Sequence, residues 1–244
     1  MVCSNATNQT CLSPTLHFRW SSPGGLAIRL LLGAKRFAYK QNPRPFQDHE
    51  TALDLGFADL PVFVHSDGRR LAATPGDLVQ VDAALEGPAV FDGLVPTAEW
   101  GAFLEWRQRI APLLERLIVP VLPVYPEISG DLEDMVFFRQ ETLRRFGQSV
   151  ESLANDRYGA YQQMAKVARL GELSAVLARN RFYFWQFTLV DILLVADLQL
   201  LRFLDGITIP INLQYYFQRV AQHCQTSLEE GMQPRTDYGE TDDL

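Results

Sequence analysis

Cysteine is scarce in this 244-residue chain: Cys3, Cys11 and Cys224 are all there is. Three cysteines build no disulfide framework, and no Cys/His spacing suggests a zinc site, so no metal is expected. Long apolar runs are missing too. No stretch approaches the roughly 18 uninterrupted apolar residues of a spanning helix. The longest apolar-looking piece, 187–204, contains Asp191, Asp197, Gln199 and Arg202. It reads as a buried helix of a soluble, cytoplasmic protein with no membrane partner. A net charge of −7, with no long basic face, argues against nucleic acid. Nothing before the N-x-T sequons at Asn5 and Asn8 resembles a secretory signal, so both read as chance matches. There is no internal repeat.

Charge is spread unevenly. Between Glu229 and Leu244 six acids face one base, a net of −5, with few apolar residues to bury. Such a tail reads as disordered, solvating sequence. Between Arg19 and Arg44 the balance reverses, with Arg19, Arg29, Lys35, Arg36, Lys40 and Arg44 uninterrupted by any acid. This run is either a solvated helix face or an anion-attracting cleft near a helix start.

The pattern divides the chain into a disordered segment 1–14, an α/β domain 15–86, a linker 87–97, an all-helical domain 98–230 and an acidic disordered tail 231–244. Thr15–Trp20 reads as a strand, and Pro23–Phe37 as a helix with proline in its first turn. A short helix follows near His49–Leu55, and a weaker strand precedes it at Ala38–Gln41. The stretch "LPVFVHSDGRRLA" is a hairpin turning at Ser66-Asp67-Gly68. Thr74 is placed to cap a helix reaching Leu85. Further on, the apolar spacing predicts helices over Ala98–Ile118, Asp131–Leu153, Arg157–Leu177, Thr188–Leu204 and Leu213–Leu228. Thr188 and Asp191 form a capping box in sequence. The fold class expected is α/β plus all-α: a small mixed sheet with helices on its faces, then a helical bundle.

Three stretches carry a resemblance over most of residues 15–230. They are "LHFRWSSPGGLAIRLLLGAK", "LPVFVHSDGRRLAAT" and "FTLVDILLVADLQLLRFLDGITIP". With them the chain resembles the glutathione transferase superfamily, and specifically its two-domain bacterial glutaredoxin branch, with a thioredoxin-like first domain. In that branch the first loop reads Cys-Pro-x-Cys; here it reads Ser22-Pro23-Gly24-Gly25. No low-pKa thiolate or resolving sulfur is present there, which argues against disulfide exchange. The Ser21-Ser22 start is also similar to the maleylacetoacetate and maleylpyruvate isomerase branch.

The resemblance implies glutathione as cofactor and a serine, Ser22 or its competitor Ser21, donating a hydrogen bond to the bound thiol. Helix capping ahead of Pro23 is the other use for both serines. Leu60 and Pro61 take the place of a cis-proline edge that pairs with glutathione's cysteinyl portion. Ala73 and Thr74 stand where an acid and a serine usually receive the γ-glutamyl group. Ala73 cannot pair with an ammonium, and Asp77 is the substitute within reach. Gly24-Gly25 fits either a close approach to the backbone or a disused site. A small electrophilic or hydrophobic substrate would lie between the domains, near Trp20, Trp106, Arg107, Tyr125, Phe138 and Tyr161. The resemblance implies a serine-type glutathione transferase or isomerase. The alternative is a non-catalytic binding module on the same fold. The relatives are divided between monomer and homodimer.

Overall fold

In a computed structural model residues 13–233 are described. Cys3, Cys11, both sequons and most of the two segments expected to be disordered lie outside the described residues. The first part runs β1 (Thr15–Phe18), α1 (Pro23–Ala34), β2 (Lys40–Pro43), α2 (Glu50–Asp54), β3 (Val62–Val64), β4 (Arg70–Ala72) and α3 (Leu78–Ala84). Its sheet has the order β2-β1-β3-β4. β1 runs parallel to β2, with Thr15 opposite Lys40, and antiparallel to β3, with Leu16 opposite Phe63. The predicted hairpin is β3–β4, with Phe63 opposite Leu71. This is the mixed sheet expected from the strand–helix–strand start and the hairpin.

The second part is helical: α4 (Thr97–Ile118), a 3₁₀ segment Val119–Val124, α5 (Pro126–Ser129), α6 (Leu132–Phe146) and α7 (Val150–Asn155). Then follow α8 (Arg157–Ala168), α9 (Leu170–Arg179), α10 (Leu189–Leu198), a second 3₁₀ segment Gln199–Phe203 and α11 (Ile211–Cys224). The fold class is the one expected, but there are more helices than the periodicity predicts. The stretch 131–153 is two helices because Gly147 turns left-handed at φ 66°. The stretch 157–177 breaks at Arg169, also left-handed at φ 51°. Apolar spacing continues across both breaks, so periodicity alone does not register them. The helix expected from Thr74 begins only at Leu78. Thr74 instead opens a turn closed by Asp77 N–H to its carbonyl at 2.9 Å, so it does not cap α3.

α1 packs against α10 and α11 and shares one core with Leu16, Phe18 and Phe63 of the sheet. Leu26 through Leu32 are all buried. A Cβ on Gly33 would overlap the Cys224 carbonyl, so glycine there sets how closely α1 and α11 approach. Every residue of α10 is buried, including Asp191. Its carboxylate accepts from the amides of Thr188 and Tyr183, both at 2.8 Å, and from the Tyr216 hydroxyl at 2.6 Å. The Thr188 hydroxyl adds a fourth donor at 3.2 Å. The predicted capping box is therefore the centre of a larger buried network. Among the described residues no helix is long and apolar enough to cross a membrane.

Because a buried donor without its acceptor costs about 1–3 kcal/mol, Asp191→Ala is expected to destabilise the protein by at least about 3 kcal/mol. Asp191→Asn, which keeps one acceptor oxygen, is expected to cost less. Urea unfolding followed by circular dichroism measures both.

Candidate functional site

The loop Arg19–Ser22 joins β1 to α1. Ser22 adopts extended backbone (φ −82°, ψ 123°) and its Oγ accepts from the Gly25 amide at 3.3 Å, while Pro23 takes the first helical position. Capping is therefore one of its uses. Proline has no N–H and Gly25's is taken, so the Gly24 amide is the one left at this positive helix end.

The two glycines answer to space. A Cβ on Gly25 would sit 2.5 Å from the Arg19 carbonyl oxygen and 3.1 Å from the Phe18 ring. One on Gly24 would come within 3.2 Å of Pro61 and 3.3 Å of Pro75. The Leu60-Pro61 peptide is cis, and its proline thus packs directly on the start of α1.

Beside this loop an apolar cavity of about 610 Å³ opens between the two parts of the chain. Ser21, Ser22 and Pro23 form one wall; Ile110 and Leu114 of α4 and Phe137, Phe138 and Phe146 of α6 form others. Arg107 lies on the wall, its guanidinium bidentate on Asp197 at 2.5 and 2.9 Å. Of the six residues expected around a substrate, the structure brings Arg107 and Phe138 to this cavity. Trp20 turns away, edge-on to Phe18, with the Arg29 guanidinium 4.4 Å over its ring. Trp106 stacks on Phe103 and donates to the Ala168 carbonyl at 3.4 Å. Tyr125 is buried against Phe203, and burial pushes its hydroxyl up to about 12. Tyr161 lies against Gly206. Tyr125 is thus buried, and the other three are partly buried and pack against the core rather than lining this cavity.

Solved structures share this architecture. Glutaredoxin 2 of Salmonella typhimurium, in complex with glutathione, superimposes with a TM-score of 0.74 at 19% identity, covering 90% of this chain and 98% of that one. A glutathione S-transferase of Ceriporiopsis subvermispora, also in complex with glutathione, gives 0.64 at 19% identity over 88% and 99%. A glutathione transferase from Phanerochaete chrysosporium gives 0.64 at 14% identity over 88% and 98%. This chain has the glutathione transferase fold. No family model matches its sequence, and no curated protein does.

On this fold the residues expected to hold glutathione are drawn together, but each has a partner inside the chain. The Leu60 amide donates to Asp59 Oδ1 at 2.8 Å, an oxygen that also accepts from Arg19. The Thr74 hydroxyl donates to the Asp77 carboxylate. Ala73 is fully buried, its amide donating to the Pro61 carbonyl at 3.1 Å.

The basic run is mostly ion-paired rather than an open anion-attracting cleft; only Arg36 and Lys40 of its six residues are exposed. Arg19 pairs with Asp59, Arg29 with Glu230, Lys35 with Asp82 and Arg44 with Asp48. Arg29 and Lys35 are buried. All four acids come from beyond the run, from Asp48 to as far as Glu230, so local charge counting does not reveal them. Glu229 and Glu230, read from sequence as the start of a solvated tail, pair with Arg202 and Arg29. Gly231 packs on the Trp20 ring and Met232 is buried.

Sequence reasoning missed Glu127. Its two carboxylate oxygens accept from the main-chain amides of Trp20 at 2.6 Å and Ser21 at 2.7 Å. Among the described residues no cluster of His, Cys, Asp and Glu has the make-up of a metal site.

Filling the space at the helix start tests this packing. Gly25→Ala is expected to cost about 1–3 kcal/mol, the usual penalty for overpacking, and Gly24→Ala less, because its neighbours there are proline ring carbons rather than a carbonyl. Thermal denaturation of the two variants measures the order.

Proposed function

We propose that this chain binds glutathione at the start of α1 and directs its thiol at a small apolar electrophile held in the adjacent cavity. One observation carries the reading: Ser22 lies on the cavity wall with its Oγ anchored by the Gly25 amide. A hydroxyl has one proton and two lone pairs. Accepting from Gly25 leaves the O–H free to donate to a sulfur anion, and polarises it. Capping and thiolate stabilisation are thus compatible at one oxygen. The positive end of α1 acts in the same direction. The thiol proton goes to solvent and the sulfur lone pair attacks the electrophilic atom, whose π electrons shift to the neighbouring acceptor atom or whose leaving group departs with its bonding pair. Conjugation, thiol-dependent reduction and isomerisation all begin from this thiolate. Glutathione bound to the glutaredoxin 2 and Ceriporiopsis structures supports the choice of cofactor.

A second reading, a non-catalytic binding module, has its own support. Ala73 offers no carboxylate, and the groups of Leu60 and Thr74 are already engaged by Asp59 and Asp77. Calorimetric titration with reduced glutathione, followed by the bound thiol's ultraviolet absorbance against pH, separates the two. The proposed activity requires binding and a thiol that ionises below its value in water. Ser22→Ala is expected to raise that bound pKa by about 1–2 pH units, the worth of one hydrogen bond to an anion. Thr74→Ala is expected to weaken binding about 5–10-fold. Absence of heat at glutathione concentrations on the order of millimolar, where only very weak binding escapes detection, would leave the binding-module reading in place of the enzyme.

A further inference from the structure

Glu127 is the one group of the helical part that grips the main chain of the α1 entry loop by two hydrogen bonds, among the described residues. It belongs to α5, a single turn. The preceding 3₁₀ segment carries Pro120 and Pro123, and Pro126 opens the turn itself. Three prolines in seven residues remove backbone freedom. Behind Glu127, the Tyr125 carbonyl accepts from the amides of Ile128 and Ser129, both at 3.0 Å. The carboxylate is therefore presented from a stiff base. It reaches across more than 100 residues of sequence to the amides of Trp20 and Ser21. The next residue is Ser22, whose own amide closes the turn onto the Arg19 carbonyl at 3.2 Å.

The loop thus forms a partition. Ser21 and Ser22 face the apolar cavity, while Trp20 and Glu127 border a second groove of about 550 Å³ lined also by Arg44 and Asp131. On that second side Trp20 is held by the Arg29 guanidinium over its ring and by Gly231 against its edge. Removing the carboxylate would take the acceptor from two main-chain donors at the edge of this groove. Burial pushes the Glu127 carboxyl up, and donors from Ser21 and Trp20 oppose that shift.

We propose that Glu127 is a positioning residue: by fixing the amides of Trp20 and Ser21 it holds the Ser22 hydroxyl where a bound thiol meets it, and so couples the helical part to the thiol site. The proposal rests on the glutathione reading for its chemical consequence, and on geometry alone for the loop.

Residue-resolved amide exchange on the full chain is the first test. In the unaltered protein the Trp20 and Ser21 amides are expected to be protected; exchange at the rate of a free amide overturns the proposal without any variant. Glu127→Gln retains one acceptor but turns an N–H₂ toward the second donor. It is expected to speed exchange at those two amides at least about tenfold, while the amides of Leu30, Leu31 and Leu32 within α1 keep their rates. Equal acceleration across α1 and the sheet means general destabilisation and overturns the positioning role. With reduced glutathione as the probe, the bound thiol's pKa is expected to rise in Glu127→Gln with little change in affinity. A thiol pKa unmoved from that of the unaltered protein also overturns it. If the unaltered protein takes up no glutathione, the proposed function falls, and the exchange rates alone decide whether Glu127 sets the loop.

Discussion

A helix buried on every side must satisfy its ends and its polar side chains within the protein, and α1 is such a helix. At an exposed helix end water completes the main-chain hydrogen bonds. Here α10 and α11 pack against the helix, and Leu16, Phe18 and Phe63 of the sheet share its core. At the entry, Glu127 takes two loop amides and Ser22 takes that of Gly25. At the exit, the Lys35 ammonium reaches Asp82 at 2.7 Å and the Pro88 carbonyl at 3.2 Å. Asp82 in turn accepts from the amides of Val90 and Phe91, both at 3.0 Å. One ion pair therefore ties the end of α1, helix α3 and the connection to the helical part together. Removing either partner would strand a buried charge, which typically costs about 3–5 kcal/mol.

The same constraint explains the glycines. Gly25 and Gly33 stand where another stretch of main chain comes too close for a side chain, at Arg19 and at Cys224. Gly24 is pressed by two proline rings. A cysteine at Gly25 would have to displace the Arg19 carbonyl, whose oxygen accepts from Ser22.

Much of the fold was legible because it is written in local patterns. The Ser66-Asp67-Gly68 turn, Pro23 at a helix start and the Thr188/Asp191 spacing all act over a few residues, and the structure contains each. Helix breaks at Gly147 and Arg169 were not legible, since left-handed residues leave the apolar rhythm intact on both sides. The site was half legible. Ser22 and Phe138 reach the cavity, but the aromatics Trp106, Tyr125 and Tyr161 pack in or against the core, where the same spacing also places a ring. Glu127 stands next to a proline-rich interruption that the sequence marks as notable. Its partners, however, are main-chain amides 106 and 107 residues away, and no side-chain pattern records a main-chain contact.

Pairing also decides what electrostatics remain at the cavity. Arg19, Arg107 and Arg145 all line it, and each is matched by an acid: Asp59, Asp197 and Glu115. A guanidinium already bridged to a carboxylate projects little net field, because the two charges cancel within a few ångströms. The first turn of α1 holds no acid, and the carboxylate that meets its entry comes from elsewhere: Glu127, on the amides of Trp20 and Ser21. Ser22 stands at that end. An anion beside its hydroxyl would meet the positive end of the helix and, opposing it, the Glu127 carboxylate. The nearby arginines and Lys35 are engaged in ion pairs that hold the fold together.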